Sequence, residues 1–323
     1  MNKRKLVSYS KYGYIFAIPF IVAFAIFTLY PIIFTLIIGF TNHEGIVPPK
    51  LKLLKDPFEN FKYLFKKRGS GKMSYFLLSL ITTARLWVIN FIPQLTLALL
   101  LSAWFTDNRV KVKGQGFFKV VFYLPNIITA ATVAIMFRAL FGFPVGPIND
   151  LLKSLHLIKN PIEFLNKKAT TRAIVEFVQC WQWYGSTMIT LIAAVIGINP
   201  EIFEAAEIDG ANRIQKFFRI TLPSVRPIML FTLVTSMIGG LSMFDIPYLL
   251  ASGGPDNATQ TIALFIYNNA FTQPYKYNRA AAASICLFII IVILSVGLFY
   301  IMRDKDAAKM EKLRKQALKK GRV

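Results

Sequence analysis

The sequence predicts an all-α polytopic membrane protein with six transmembrane helices. Three observations lead there. The composition is 55% hydrophobic with 29 Phe among 323 residues, at a mean hydropathy of +0.50. That is too apolar for an ordinary soluble domain. Six separate stretches each hold about 20 or more mostly apolar residues, the length needed to cross roughly 30 Å of hydrocarbon with every backbone group paired inside the helix. Basic residues are more numerous in the segments that six spans would place on the same side as both termini, as the positive-inside rule requires of a cytoplasmic face.

The elements follow in order. Tyr14–Phe40 comes after the basic run "MNKRK". It is too long for a signal-peptide core and no small-residue cleavage site follows, so it reads as a retained span. Phe76–Trp104 is the second, interrupted by Arg85 and Pro93; Phe117–Phe141 is the third and Ile174–Ile196 the fourth. Ile228–Leu250 and Ala280–Met302 complete the set. The organisation expected is a short cytoplasmic N-terminus (1–13), a six-helix membrane domain (14–302) and a basic cytoplasmic tail (303–323). Within the domain lie a Lys-rich external loop (41–75) and a polar internal loop (199–227). The tail "KMEKLRKQALKKGR" suits an anionic inner leaflet or plain solvent. The net charge of +22 thus belongs to membrane topology, and no nucleic-acid partner is expected.

Chemical motifs are scarce. Cys180 and Cys286 both fall in predicted spans, where small buried thiols are ordinary packing residues. The run "RGSGKM" fails as a phosphate loop at both ends, with Lys66 where Gly is needed and Met73 where Ser or Thr is needed. His43 and His156 sit in separate external loops without acidic neighbours at ligand spacing. With neither a nucleophile–base arrangement nor a metal cluster in view, the expectation is a non-enzymatic chain without a cofactor or metal of its own.

The polar internal loop is the informative stretch. "EAAEIDGANRIQKFFRITLP" runs from Glu204 to Pro223 between two spans. Asn199 is placed to cap a helix, Pro200 suits its first position, and Glu201 favours the positive end of the dipole. Gly210 supplies the stop. Asn212 can cap a second short helix whose Ile214, Phe217 and Phe218 share one face, with Pro223 ending it. Helix, Gly turn, helix makes a compact elbow protruding on the cytoplasmic side.

Glu204-Ala205-Ala206, three residues, Gly210, nine residues, Ile220, one residue, Leu222-Pro223 resembles at every signature position the EAA motif of permease subunits of binding-protein-dependent ABC importers. "ASGGPDNAT" (Ala251–Thr259) and "FIYNNAF" (Phe265–Phe271) are similar to the carbohydrate branch, which includes the larger maltose permease subunit and the glycerol-3-phosphate permease. So are "LPNIITAATVAIMFRALF" and "GPINDLL". The likeness covers about Tyr14 to Met302. It implies the type I importer permease fold with a cytoplasmic coupling helix, in the cytoplasmic (inner) membrane. The implied partners are a second homologous permease, two copies of a cytoplasmic ATPase that hydrolyses ATP with Mg, an extracytoplasmic solute-binding protein and the bilayer. The resemblance further implies that Glu204, Ala205, Ala206, Asp209, Gly210, Ile220, Leu222 and Pro223 form the ATPase-coupling surface.

The cargo path is read from span four, where Gln179, Gln182, Trp183 and Ser186 fall on one helical face at i, i+3, i+4 and i+7. Uncharged hydrogen-bonding groups beside an indole suit a neutral sugar. Span five adds Ser236, Gly240 and Met243, with Phe244, Asp245 and Tyr248 beyond them. In the maltose branch these positions contact sugar, although several residue types differ here. The competing use of such residues is to bind helices together. The expected function is one half of the path of an ATP-driven sugar importer, with an oligosaccharide favoured by the aromatic-rich faces. Glycerol-3-phosphate, an amino acid or a peptide is the alternative cargo. A secondary transporter would call for more buried ionisable residues and internal repeats.

Overall fold

A computed structural model describes residues 10–46, 51–67, 73–107 and 113–302. The basic N-terminal run, Lys50, the loop "RGSGK" and the tail 303–323 lie outside them. Apart from an isolated Thr41–Leu53 bridge, the regular structure of the described residues is helical. Three helices are long and apolar enough to cross a bilayer alone: Gly13–Ile38, Tyr75–Thr106 and Tyr277–Ile301. Three more segments meet that test as bent pairs, which brings the candidate spans to six. The chain folds as two compact units.

The first unit comprises the described parts of Met1–Ser74 with Ile266–Leu287. Its span is α1 (Ser10–Phe24) and α2 (Tyr30–Ile38), joined by a π-helical turn at Ala25–Leu29. The segment after α2 carries the short α3 (Glu59–Phe65). Asn60 is buried there, and its amide donates to the carbonyls of Gly39 (2.9 Å) and Thr41 (3.0 Å) and accepts from Asn278 (3.1 Å). Arg279 lies 3.6 Å over the Tyr63 ring and 3.5 Å from Glu44.

The second unit comprises Tyr75–Phe265 with the described part of Phe288–Val323. Its backbone is α4 (Tyr75–Thr106) packed along α8 (Lys168–Ile196). The span expected at Phe76–Trp104 is present, α4 running unbroken over 32 residues through Arg85 and Pro93. Neighbouring helices let such an interior Pro persist in a span. Between them in sequence come α5 (Gln115–Ile127), α6 (Ala130–Leu140) and the short α7 (Pro147–Ser154). One core joins Leu86, Val133, Phe137, Val175, Val178 and Ile246; a second joins Ala98, Phe105, Met188 and Leu191.

Two predicted spans are corrected. Span three is not one helix, because α5 and α6 meet at 90°. Pro125 stands in the last turn of α5, and the Thr129 side chain caps α6 by accepting from the Thr132 N–H at 3.3 Å. Irregular backbone at membrane depth must find partners within the protein. Here Gln182 Nε2 donates to the Ile128 carbonyl (3.3 Å) and Asn126 Nδ2 to the Gln182 carbonyl (3.4 Å). Span five does not run to Leu250 either: α12 (Arg226–Leu241) stops, and α13 (Asp245–Ala251) starts anew. Pro247 is the physical cause, since its ring would clash with the carbonyl four residues earlier in a continuous helix. The break at Ser242–Phe244 puts it in a first turn. Beyond α13, α14 (Ile262–Phe271) and α15 (Tyr277–Met302) complete the helices of the described residues.

Candidate functional site

The polar loop folds as the sequence predicts in most respects. The Asn199 side chain accepts from the Glu201 N–H at 3.2 Å and caps α9 (Pro200–Ile208), which turns 72° from α8. Gly210 adopts φ +75°, a conformation that costs L side chains about 1–2 kcal/mol. The Ala211 N–H reaches the Ala206 carbonyl (2.8 Å) and the Gly210 N–H the Glu207 carbonyl (3.1 Å). This is the paired Schellman closure of a helix C-terminus. Asn212 and Gln215 then form a reciprocal capping box, both bonds 2.8 Å, at the start of α10 (Arg213–Lys216).

The expectation that Pro223 ends this helix holds to within one residue, for the run stops at Ser224. The chain continues through a π turn, Phe217–Thr221, into α11 (Leu222–Ser224), then bends 65° into α12. The Leu222 N–H bonds back to the Phe217 carbonyl. Pro223 follows directly, at a point where wide-turn hydrogen bonding already displaces the α-helical pattern that a Pro would break.

The elbow is braced from inside. Lys216 Nζ lies 2.5 Å from Glu207 Oε1, joining its two arms, and Arg213 Nε lies 3.2 Å from Asp107 Oδ2 just past the end of α4. Its outer surface holds exposed Glu204, Ala205 and Asp209. It also holds Ile208, Ile214 and Phe218, with exposures of 88%, 69% and 59%. Ala206, Ile220 and Leu222 are half-buried.

The second feature is a cavity of about 360 Å³ between α4, α8, α12 and the Ser242–Ile246 link. That volume is in the range of small-molecule sites. From α8, Gln179, Gln182, Trp183 and Ser186 all line it, joined by Thr187 and Thr190. From α12 come Ser236 and Gly240, and from the link Met243, Phe244 and Asp245. Tyr248 is not on the wall; its ring stacks on Phe244 with centroids 5.1 Å apart. The two indoles of α8 diverge. Trp183 is half-exposed on the wall, whereas Trp181 packs edge-on against Phe137 at 5.4 Å in the first core.

Some lining groups also hold helices together. Gln182 supports the Ile128 carbonyl, Gln94 Nε2 donates to Thr187 Oγ1 at 2.9 Å, and Met243 is buried in the core. Sequence reasoning missed the α4 wall altogether. Trp87, Asn90 and Gln94 line the cavity from there. Their signal was an indole and two amides at i, i+3 and i+7, one face of the span. The Trp87 Nε1–H donates to Ser236 Oγ at 3.2 Å, and its ring rests on Gly240. A Cβ added at Gly240 would come within 2.1 Å of Trp87 Cδ1, so only Gly allows α12 to approach the indole this closely.

A polytopic helical chain with a capped polar elbow and a midchain cavity has clear relatives. The family model described as "Binding-protein-dependent transport system inner membrane component" matches residues 68–305, and the chain belongs to that family. It is 29% identical over 305 residues to the lactose transport system permease protein LacF of Rhizobium radiobacter, covering 92% of this chain and 96% of that protein. It is 29% identical to the arabinooligosaccharides transport system permease protein AraP of Bacillus subtilis, covering 88% and 86%. Among solved structures it matches a chain of a bacterial ABC transporter involved in the import of the acidic polysaccharide alginate. The TM-score is 0.74 at 26% identity, covering 91% of this chain and 95% of that one.

Proposed function

We propose that this chain forms one half of the translocation path of an ATP-driven importer of sugars, with oligosaccharides as the cargo. The observation that carries the reading is the cavity. Its wall combines amides and hydroxyls with the half-exposed indole of Trp183. Sugars present the matching chemistry: hydroxyls that exchange hydrogen bonds and apolar ring faces that lie on aromatic planes. The names of relatives point the same way, from lactose to arabinooligosaccharides and diacetylchitobiose.

Energy enters through partner subunits. The elbow α9–α11 is the docking element for an ATPase, with Glu204, Ala205, Ala206, Asp209, Gly210, Ile220, Leu222 and Pro223 as its signature. Its rigidity supports this reading: two caps, a Schellman turn and an internal ion pair hold one shape, and a rigid element transmits displacement that a loose loop would absorb. The apolar tips Ile208, Ile214 and Phe218 stand exposed beside charged groups, a surface suited to burial against a protein partner. The wider assembly is a second, homologous permease, two ATPase copies that hydrolyse ATP with Mg, and an external binding protein. A solved relative is described in complex with an alginate pentasaccharide-bound periplasmic protein. Reconstituted into liposomes with those partners, the chain should support sugar uptake that depends on internal ATP. Uptake that persists without the ATPase would overturn the proposal.

A further inference from the structure

We propose that the cavity selects saccharides that carry no negative charge, and that Asp245 is the specificity-determining residue that turns anionic sugars away. This deepens the sugar-import reading and rests on it. Among the described residues the wall contains no Lys, Arg or His, and Asp245 is its one charged residue. It is exposed, at the start of α13 where the α12–α13 break opens the wall. The basic residues that flank the wall on its helices, Arg85 on α4, Arg172 on α8 and Arg226 on α12, do not line it. Arg172 is turned away, its Nε–H donating to the Ala258 carbonyl at 2.8 Å.

The physical consequence is one of sign. A uronate carboxylate entering this space would shed water, which is costly unless a cation or several donors replace it. It would find no cation on these walls and would face a like charge. A neutral sugar meets neither penalty. Its hydroxyls can donate to the oxygens of Ser186, Thr190 and Thr235, whose own protons go to backbone carbonyls, and its ring faces can lie on Trp183. The solved relative at 26% identity handles an acidic polysaccharide, so the shared fold does not set the charge of the cargo. Residues on the wall do, and here Asp245 sets it against anions.

The test reads the charge of the cavity directly, without knowledge of the cargo. In the assembled transporter, Cys180 and Cys286 are replaced by Ala and Ser186→Cys is introduced as the reporter. Reaction rates are measured at low ionic strength with a cationic trimethylammonium-ethyl and an anionic sulfonatoethyl methanethiosulfonate, each divided by its rate with a free small thiol. One carboxylate sharing a wet cavity with the reporter should favour the cationic reagent about threefold or more at low ionic strength. Asp245→Asn should bring the ratio toward one. Equal or faster reaction of the anionic reagent with Asp245 present, or a ratio unmoved by Asp245→Asn, would overturn the proposal. If the Ser186→Cys complex fails to assemble, Thr235→Cys on the facing wall serves as the reporter. The sugar-import reading is judged by uptake and not by these rates, so either can fail without the other.

Discussion

Replacing Trp183 and Trp181 in turn separates the cargo wall from the core, because the two indoles are neighbours in sequence and opposites in environment. Two residues on a helix turn the side chain by about 200°. Trp183 stands half-exposed on the cavity, and Trp181 packs on Phe137. Removing an aromatic platform from beneath a sugar ring forfeits about 1–3 kcal/mol, judged by the apolar area an aromatic buries. That corresponds to roughly a tenfold to hundredfold loss of affinity. Trp183→Ala should therefore raise the sugar concentration needed for half-maximal uptake by that factor, with assembly intact. Trp181→Ala instead leaves a core void worth about 3–5 kcal/mol of stability, and should lower the yield and thermal midpoint of the complex while the surviving fraction keeps its affinity. The assay is uptake at several sugar concentrations, normalised to assembled complex, beside a thermal melt. Equal affinity losses, or a larger one for Trp181→Ala, would show that the opposite face of α8 meets the cargo.

Further outcomes concern the elbow, the α4–α12 contact and the subunit composition. Gly210→Pro and Glu204→Lys should each uncouple ATP hydrolysis from uptake while the spans remain inserted, the first by forbidding φ +75° and the second by reversing the charge offered to the ATPase. Parental transport by both variants would contradict the coupling role. Gly240→Ala should destabilise the complex by about 1–3 kcal/mol, since its Cβ would overlap the Trp87 ring. Gly239→Ala meets nothing within 4 Å and should leave the melting curve within the scatter of the parent. Mass measurement of a transport-competent complex should find one copy of this chain beside a homologous but non-identical permease; two copies and no second permease would refute the heterodimer.

Most of the elbow was legible because its determinants are local. Asn199, Pro200, Gly210 and Asn212 each act through their own backbone or the next turn, and all four do what their residue type dictates. What period-3.6 reasoning did not see is the π turn, Phe217–Thr221, just before Pro223. The α8 face was legible for the same reason, since one helix sets its own periodicity. The α4 wall was not, because Trp87, Asn90 and Gln94 gain their meaning from Ser236, Gly240 and Thr187 far along the chain. The 90° break of span three also escaped. Hydropathy runs smoothly through Ile128 and Thr129, and what makes the break tolerable is Gln182, more than 50 residues away by sequence separation. Periodicity assigns Gln182 to the cargo face, and in the fold it lines the cavity and supports that break at once.

The central claim, that this chain carries sugar by ATP-driven movement passed through its elbow, is tested most directly by uptake into proteoliposomes holding the full assembly. Labelled oligosaccharide is offered outside with the binding protein, and ATP is sealed inside. The account requires accumulation against a gradient that stops when ATP is replaced by a non-hydrolysable analogue or when the ATPase is omitted. Accumulation driven by an ion gradient with no ATP present would contradict it.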